Sequence, residues 1–322
     1  MAVTNFLVSS LPDYVKQNEE LLISSFGLPN AGTRRYISIQ TGIKKAATLT
    51  QMLLTPSIQD GSSCGFNPLD EIELGQKNIE VGIHKVDGEI CPETLIGKWG
   101  EWRVRVSATE NELPFEGYIM EALMGEIRKQ VEILLWTADS GGSDLFDGFL
   151  TQFSADANTV TVTLTGVTGA YDAVKAVYFQ MTDEAIDRGG LLFVDPVIYR
   201  ALINDLTVLN FYHYDMGTGY KEEFLLPGTD VRVVKTPGLA GTHGIVGTFG
   251  ENLVYGTDME GDNELVDLWW SSDARVFRYQ VKWNMGVAYH FSEHIAWGVM
   301  DAAPTPLGTC PCAVAADDGG GE

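Results

Sequence analysis

The stretch ARVFRYQVKWNMGVAYHFSEH, residues 274–294, admits two readings, and the choice between them decides the fold. Its end, HFSEH, gives His290, Glu293 and His294 the spacing of an inverted zinc-peptidase motif. In that motif both histidines hold the metal and the glutamate is the general base. The chemistry requires a helix, because positions four apart share a face there. The residues leading in have a different period. Phe277, Tyr279, Val281, Trp283, Met285, Val287, Tyr289 and Phe291 alternate with Arg278, Gln280, Lys282, Asn284, Gly286, Ala288 and His290. Period two sustained to the edge of the motif predicts a long, half-buried strand. In an extended chain His294 lies ~13 Å beyond His290, at ~3.3 Å per residue, too far for one zinc. A third ligand would have to come from Asp301 or the acidic tail. The zinc reading gives way to two strand-end histidines.

The chain has 322 residues, enough for a sizeable core in one large domain or two closely connected ones. Lys and Arg number 21 against 44 Asp and Glu, a net charge of −23 with the acid excess spread along the chain. Such a surface is unsuited to gripping nucleic acid, since phosphate affinity comes from Lys and Arg. No apolar run approaches the ~20 residues that span a bilayer, so no membrane association is expected. The first twenty residues predict no signal peptide, having neither a basic start nor an adequate apolar core. Cys64, Cys91, Cys310 and Cys312 do not make a disulfide framework, and the last two are expected as tail thiols.

Residues 1–35 contain one short helical stretch and the turn signal NAGTRR, and read as an arm. From Arg35 to about Trp102 the pattern is extended, with Ile72, Leu74, Ile79, Val81 and Ile83 alternating against Glu71, Glu73, Glu80, Gly82 and His84. This predicts a long hairpin or small sheet with little to bury by itself. Residues 114–138 predict a helix roughly 37 Å long, with Pro114 in its first turn and an apolar stripe at Phe115, Ile119, Leu123, Ile127, Val131, Leu134 and Leu135. Beyond it, TVTVTLTG predicts a strand and AYDAVKAVYFQMTDEAID an amphipathic helix. LLFVDPVIYRALIND predicts a buried strand, then a helix with Asp195 as N-cap and Pro196 at its first position. Residues 301–322 have no means of making a core.

The search for chemistry returns nothing further. There is no nucleotide-binding glycine fingerprint, no GxxxxGK[ST] and no GxSxG. His213 and His243 read as surface residues. Glu222-Glu223 and Asp258, Glu260 and Asp262 read as solvated turns, without EF-hand spacing. FYHYD (211–215) and LWW (268–270) are aromatic clusters suited to a core, an interface or a sugar platform. No catalytic, cofactor-binding or metal-ligating residue is assigned, and the expectation is a protein that is not an enzyme.

In their order, the arm, long two-stranded loop, long helix, mixed α/β domain and long final strand resemble tailed-bacteriophage major capsid proteins. Local similarities accompany the layout: FDGFL (146–150), LFVDPVIYRAL (192–202), LLPGTDVRVV (225–234) and GTFGENLVYG (247–256). The resemblance implies an α+β protein of the Hong Kong 97-like capsid fold. Residues 1–35 would be the N-arm and 36–100 the E-loop. Residues 101–140 and 252–292 would form a peripheral domain with its spine helix at 114–138. Residues 141–251 and 293–300 would form the mixed α/β axial domain, and 301–322 a C-terminal tail without an assigned role.

It further implies a major capsid protein that self-assembles into hexamers and pentamers. These would build an icosahedral or prolate shell around a double-stranded DNA genome, assembled in the host cytoplasm and retained in the virion. Other copies of the chain, portal and decoration proteins would be its partners. With the spine helix beginning near Pro114, an N-terminal scaffolding segment has no room, which implies a separate scaffold protein. Some relatives crosslink an E-loop lysine to a neighbour's asparagine. Lys77 and Lys85 lie in the right region, but the sequence identifies no partner and no crosslink is assigned. The alternatives are an encapsulin-like nanocompartment shell and a β-rich carbohydrate-binding protein.

Overall fold

The alternating stretch forms a single strand, Val276–Tyr289, as its period predicts. The computed structural model describes residues 32–55, 58, 71–91, 115–142, 146–209, 223–258 and 265–304. In chain order its strands are β1 (Ser38–Gln40), β2 (Ala46–Thr55), β3 (Glu71–Glu80), β4 (Gly82–Ile90), β5 (Val160–Thr161), β6 (Gly190–Val194), β7 (Glu223–Leu225), β8 (Arg232–Lys235), β9 (Gly244–Phe249), β10 (Leu253–Gly256), β11 (Leu265–Ser271), β12 (Val276–Tyr289) and β13 (Ala296–Val299). The helices are α1 (Phe115–Thr137), α2 (Phe149–Ala155), α3 (Ala170–Gln180), α4 (Asp183–Asp187) and α5 (Pro196–Val208). The described residues fall into two units, one within Met1–Ala155 and Glu251–Phe291, the other within Asp156–Gly250 and Ser292–Glu322.

Unit one is organised by β12. β4 runs antiparallel to it from Phe277↔Ile90 to Met285↔Gly82. β11 pairs from Ser271↔Val276 to Leu265↔Lys282, and β10 from Gly256↔Gly286 to Leu253↔Tyr289. β1 joins β10 in parallel. The first half of β12 has one wetter face, as expected. From Trp283 to Tyr289, however, every residue is buried. The second cover is a two-stranded ribbon of β2 and β3, paired from Ala46↔Glu80 to Thr55↔Glu71.

The ribbon crosses the sheet where Gly256 and Gly286 face each other. A Cβ on Gly286 would lie 1.9 Å from the Glu80 carbonyl oxygen, and one on Gly256 would lie 2.6 Å from Ile79 Cδ1. Only residues without side chains let the two backbones approach this closely. Around the crossing, Ile43, Leu49, Ile79, Val81, Val254 and Ala288 form one buried cluster. The Val81 amide donates to the Lys45 carbonyl at 2.9 Å. The chain then turns at Val81 and enters the large sheet as β4, so the alternating run read as one extended pattern is divided between two sheets. Leu74 and Ile83 are exposed, whereas Ile79 and Val81 are buried.

Helix α1 matches the predicted span, but its buried stripe is Met124, Ile127, Val131 and Leu135, with Trp136 beside it. Leu123 and Leu134 are half-buried, because the stripe is offset from the four-residue steps read from the sequence. FDGFL fastens α2 to the end of α1. The Gly148 amide donates to the Ala138 carbonyl at 2.8 Å, and Phe149 stacks obliquely on Trp136 at 5.2 Å.

Unit two is a six-stranded mixed sheet in the order β5-β13-β9-β6-β8-β7. Helix α3 packs on β13 and β9, and α5 packs on α3. β6 is buried throughout. Asp195 caps α5 as expected, its Oδ1 accepting from the Val197 amide at 2.6 Å, with Pro196 in the first turn. Two expectations are corrected. The helix predicted across AYDAVKAVYFQMTDEAID breaks at Met181-Thr182, because the Thr182 hydroxyl caps α4 by accepting from the Ala185 amide. The strand predicted at TVTVTLTG shrinks to β5, in register with Ala296 and Trp297.

The crossing predicts opposite effects at two glycines. Gly286→Ala drives a methyl into the Glu80 carbonyl and destabilises unit one by about 1–3 kcal/mol or more. Gly125, within α1, faces open space, and Gly125→Ala stabilises by about 0.5–1 kcal/mol. Thermal denaturation of the two variants distinguishes them, and equal shifts would contradict the crossing geometry.

Candidate assembly surface

Beyond its buried base the ribbon loses its cover. Met52 and Leu74 are direct cross-strand partners, 55% and 66% exposed. On this side of the ribbon the described residues offer only shallow local support, such as the Thr48 hydroxyl donating to Asn78 Oδ1 at 3.2 Å. A two-stranded ribbon in water is marginal, and its outer edges present a row of backbone donors and acceptors. An arrangement anchored at its base, with Met52 and Leu74 exposed beyond it, is suited to burial against another surface.

A second attachment holds the turn read in the sequence as NAGTRR. Gly32 has φ +61°, and a Cβ there would lie 2.6 Å from the Glu132 carboxyl carbon. Thr33 donates to Glu132 Oε1 from its amide at 2.8 Å and also from its hydroxyl. The Trp136 indole N–H donates to Thr33 Oγ1 at 2.8 Å. Arg34, itself buried, lies over the Tyr255 ring at 4.5 Å. The buried carboxylate of α1 thus fixes the point at which the chain leaves Gly32, which no sequence period reveals.

On the exposed face of β4 and β12, Arg278 pairs with Glu89 at 2.8 Å and Gln280 donates to Asp87 at 2.6 Å. Lys85 pairs with Asp87 at 2.7 Å. The hydrogen bonds from Lys85 and then Gln280 hold the Asp87 carboxyl below its ordinary value. Lys77 takes another course, its Nζ lying 3.3 Å from the centroid of the Tyr289 ring. Lys77 and Lys85 therefore have different local engagements, a cation–π contact and an ion pair.

HFSEH is divided between the units. His290 follows the end of β12 in unit one, where loss of solvent lowers its pKa. Its contribution to stability is complete above its ordinary value of 6.5 and is lost as pH falls, because the unfolded state binds the proton more readily. His294 lies in unit two, buried rather than at a strand end. Its Nδ1 is 2.7 Å from Thr182 Oγ1 and its Nε2 is 3.5 Å from Glu184. Among the described residues no three His, Cys, Asp or Glu side chains gather as a metal site. No described helix is long and apolar enough to cross a membrane.

His243, expected as a surface residue, is partly buried with φ +53°. Its amide and that of Gly241 donate to Oδ2 of the fully buried Asp195, at 3.0 and 2.9 Å. Asp258 is buried rather than solvated. Of LWW, Trp269 is exposed and Trp270 packs edge-on against Phe277 at 5.0 Å. FYHYD, His213, Glu222, Glu260, Asp262, Cys64, Cys310 and Cys312 lie outside the described residues, while Cys91 is exposed.

Thr33→Val keeps the shape of the turn while removing the donor to Glu132 and the acceptor of the Trp136 N–H. It lowers stability by about 1–3 kcal/mol, and Thr33→Ser retains most of that. Superposable denaturation curves for wild type and Thr33→Val would contradict this attachment.

No protein-family model matches the chain, and no curated protein matches its sequence. Solved structures do match. A chain from the satellite phage P4 procapsid including size determination (Sid) protein is 12% identical, with TM-score 0.56 over 89% of this chain and 100% of that one. A chain from Microbacterium phage Oxtober96 is 13% identical, with TM-score 0.55 over 84% and 92%. One from a virus-like particle of Pyrococcus furiosus is 9% identical, with TM-score 0.51 over 88% and 99%. At these identities the likeness is one of fold. The resemblance to phage capsid proteins read from the order of parts is borne out at that level: this chain is a mixed α+β protein with the fold found in phage capsid structures.

Proposed function

We propose that the chain is the major capsid protein of a tailed bacteriophage, a structural protein of the Hong Kong 97-like fold without enzymatic activity. The observation that carries the reading is the ribbon, seated on unit one at its base and exposing Met52 and Leu74 beyond it. A subunit that spends chain length on such a projection buries it against neighbouring copies, and hexamers and pentamers closing into a shell supply them. The fold likeness over 84–89% of the chain to two phage particles supports the same assignment. In this reading, residues 1–35 are the N-arm, 36–100 the E-loop, 101–140 with 252–292 the peripheral domain, and 141–251 with 293–300 the axial domain. The shell assembles in the host cytoplasm with a separate scaffold and a portal, and becomes part of the virion. A net charge of −23 suits a wall beside packaged DNA, which it repels rather than grips.

The virus-like particle from Pyrococcus furiosus supports a second reading, an encapsulin-like compartment shell built on the same fold. Shell contents separate the two: double-stranded DNA for the virus, protein cargo for the compartment.

Shortening the ribbon tests the role given to it. Thr50 and Gln76 are cross-strand partners, and joining them by an Asn-Gly turn removes the exposed half while keeping the buried base. The expected product is a folded subunit that forms no closed shells. Normal shells from this variant would overturn the ribbon's role.

A further inference from the structure

The chain passes between the two units at Ala155/Asp156, Gly250/Glu251 and Phe291/Ser292. Within unit one, two of these passages are the start of β10 and the end of β12. Their backbone ladder runs from Gly256↔Gly286 to Leu253↔Tyr289. One further rung follows, the His290 amide donating to the Asn252 carbonyl at 2.9 Å. There the backbone ladder stops, because Gly250–Asn252 is a single 3-10 turn rather than strand.

The next rung is nevertheless made, by a side chain. Asn252 Oδ1 accepts from the Phe291 amide at 2.7 Å, and Asn252 Nδ2 donates to the Phe291 carbonyl at 2.9 Å. A primary amide carries a donor and an acceptor side by side, so it can stand in for a peptide group opposite Phe291. The geometry also fixes which end of the amide is oxygen, since only one orientation satisfies both groups. Asn252 is fully buried, and its two bonds to Phe291 are part-buried.

The third passage is tied to the same strand end. Gln152, in the helix that ends at Ala155, donates from Nε2 to the Val287 carbonyl at 2.8 Å. Phe153 packs edge-on against Tyr289 at 5.3 Å. The residues Val287–Phe291 therefore receive all three passages on the unit-one side.

We propose that Asn252 is a conformational clamp, which binds the strand entering unit one and the strand leaving it into one element, so that neither frays separately. The proposal stands on bonds within unit one and does not depend on the shell reading. A strand end at a passage ordinarily exchanges its amide hydrogens far faster than the strand interior. The clamp instead makes Phe291 open only together with the interior.

Residue-resolved hydrogen exchange on the full chain, in whatever assembly it adopts, tests this. In the wild type the Phe291 amide is expected to exchange with those of His290 and Ala288, at comparable rates. In Asn252→Ala the Phe291 amide is expected to exchange about tenfold faster or more, while Val281 in the middle of β12 is unchanged. Three outcomes would overturn the proposal: wild-type Phe291 exchanging as fast as the exposed turn Ser272–Arg275, no change at Phe291 in Asn252→Ala, or equal acceleration throughout unit one. Should Asn252→Ala not fold, the wild-type comparison still decides.

Discussion

The close approach of the ribbon to Gly286 by its backbone, and to Gly256 by the Ile79 side chain, is the constraint on which unit one depends. Paired strands ordinarily present side chains on both faces, which keep any further layer about 10 Å away. Removing the side chains from one cross-strand pair opens a slot in which the Glu80 carbonyl and Ile79 come to rest on the sheet itself. The ribbon is thereby held at its base without a core of its own, and the second half of β12 becomes buried on both faces. Beyond the slot Met52 and Leu74 are exposed, so the pair of missing side chains creates an attachment that covers the base of the ribbon and leaves these two uncovered.

The polar anchors follow the same economy of position. Glu132, buried in α1, accepts from Thr33, and Asp195, buried in unit two, accepts from Val197, Gly241 and His243. Each carboxylate gathers backbone donors from a segment distant in sequence, and each is compensated by hydrogen bonds. They set where loops leave the regular elements. The amide of Asn252 does the same at the strand ends. Each of these groups fixes the position of a loop or a strand end through hydrogen bonds.

What was legible in the sequence follows from how local each cause is. The strand at Val276–Tyr289 and the helix at Phe115–Thr137 were readable because long periodic runs overdetermine their period. Asp195-Pro196 was readable because capping is settled within a few residues. The division of the alternating run at Val81 was not, since both halves are extended and only the partner strand differs. The break at Thr182 was hidden by an apolar pattern that continues across it, and the burial of His294 comes from Thr182 and Glu184, more than a hundred residues away. The glycines at 256 and 286 were visible, but their meeting requires the β10–β12 register. The exposed pair on which the proposed assembly rests, Met52 opposite Leu74, needed the β2–β3 register in the same way. The order of parts compensated, because it reported the fold without any of these contacts.

The central claim is that this chain completes its burial by assembling with copies of itself. Particle mass and shape of the purified protein, from light scattering with negative-stain electron microscopy, alone and with any scaffold encoded beside it, test that claim most directly. The account predicts pentameric or hexameric capsomers of the 35.2 kDa subunit, or closed shells larger still. A well-behaved monomer of 35.2 kDa under both conditions would contradict it.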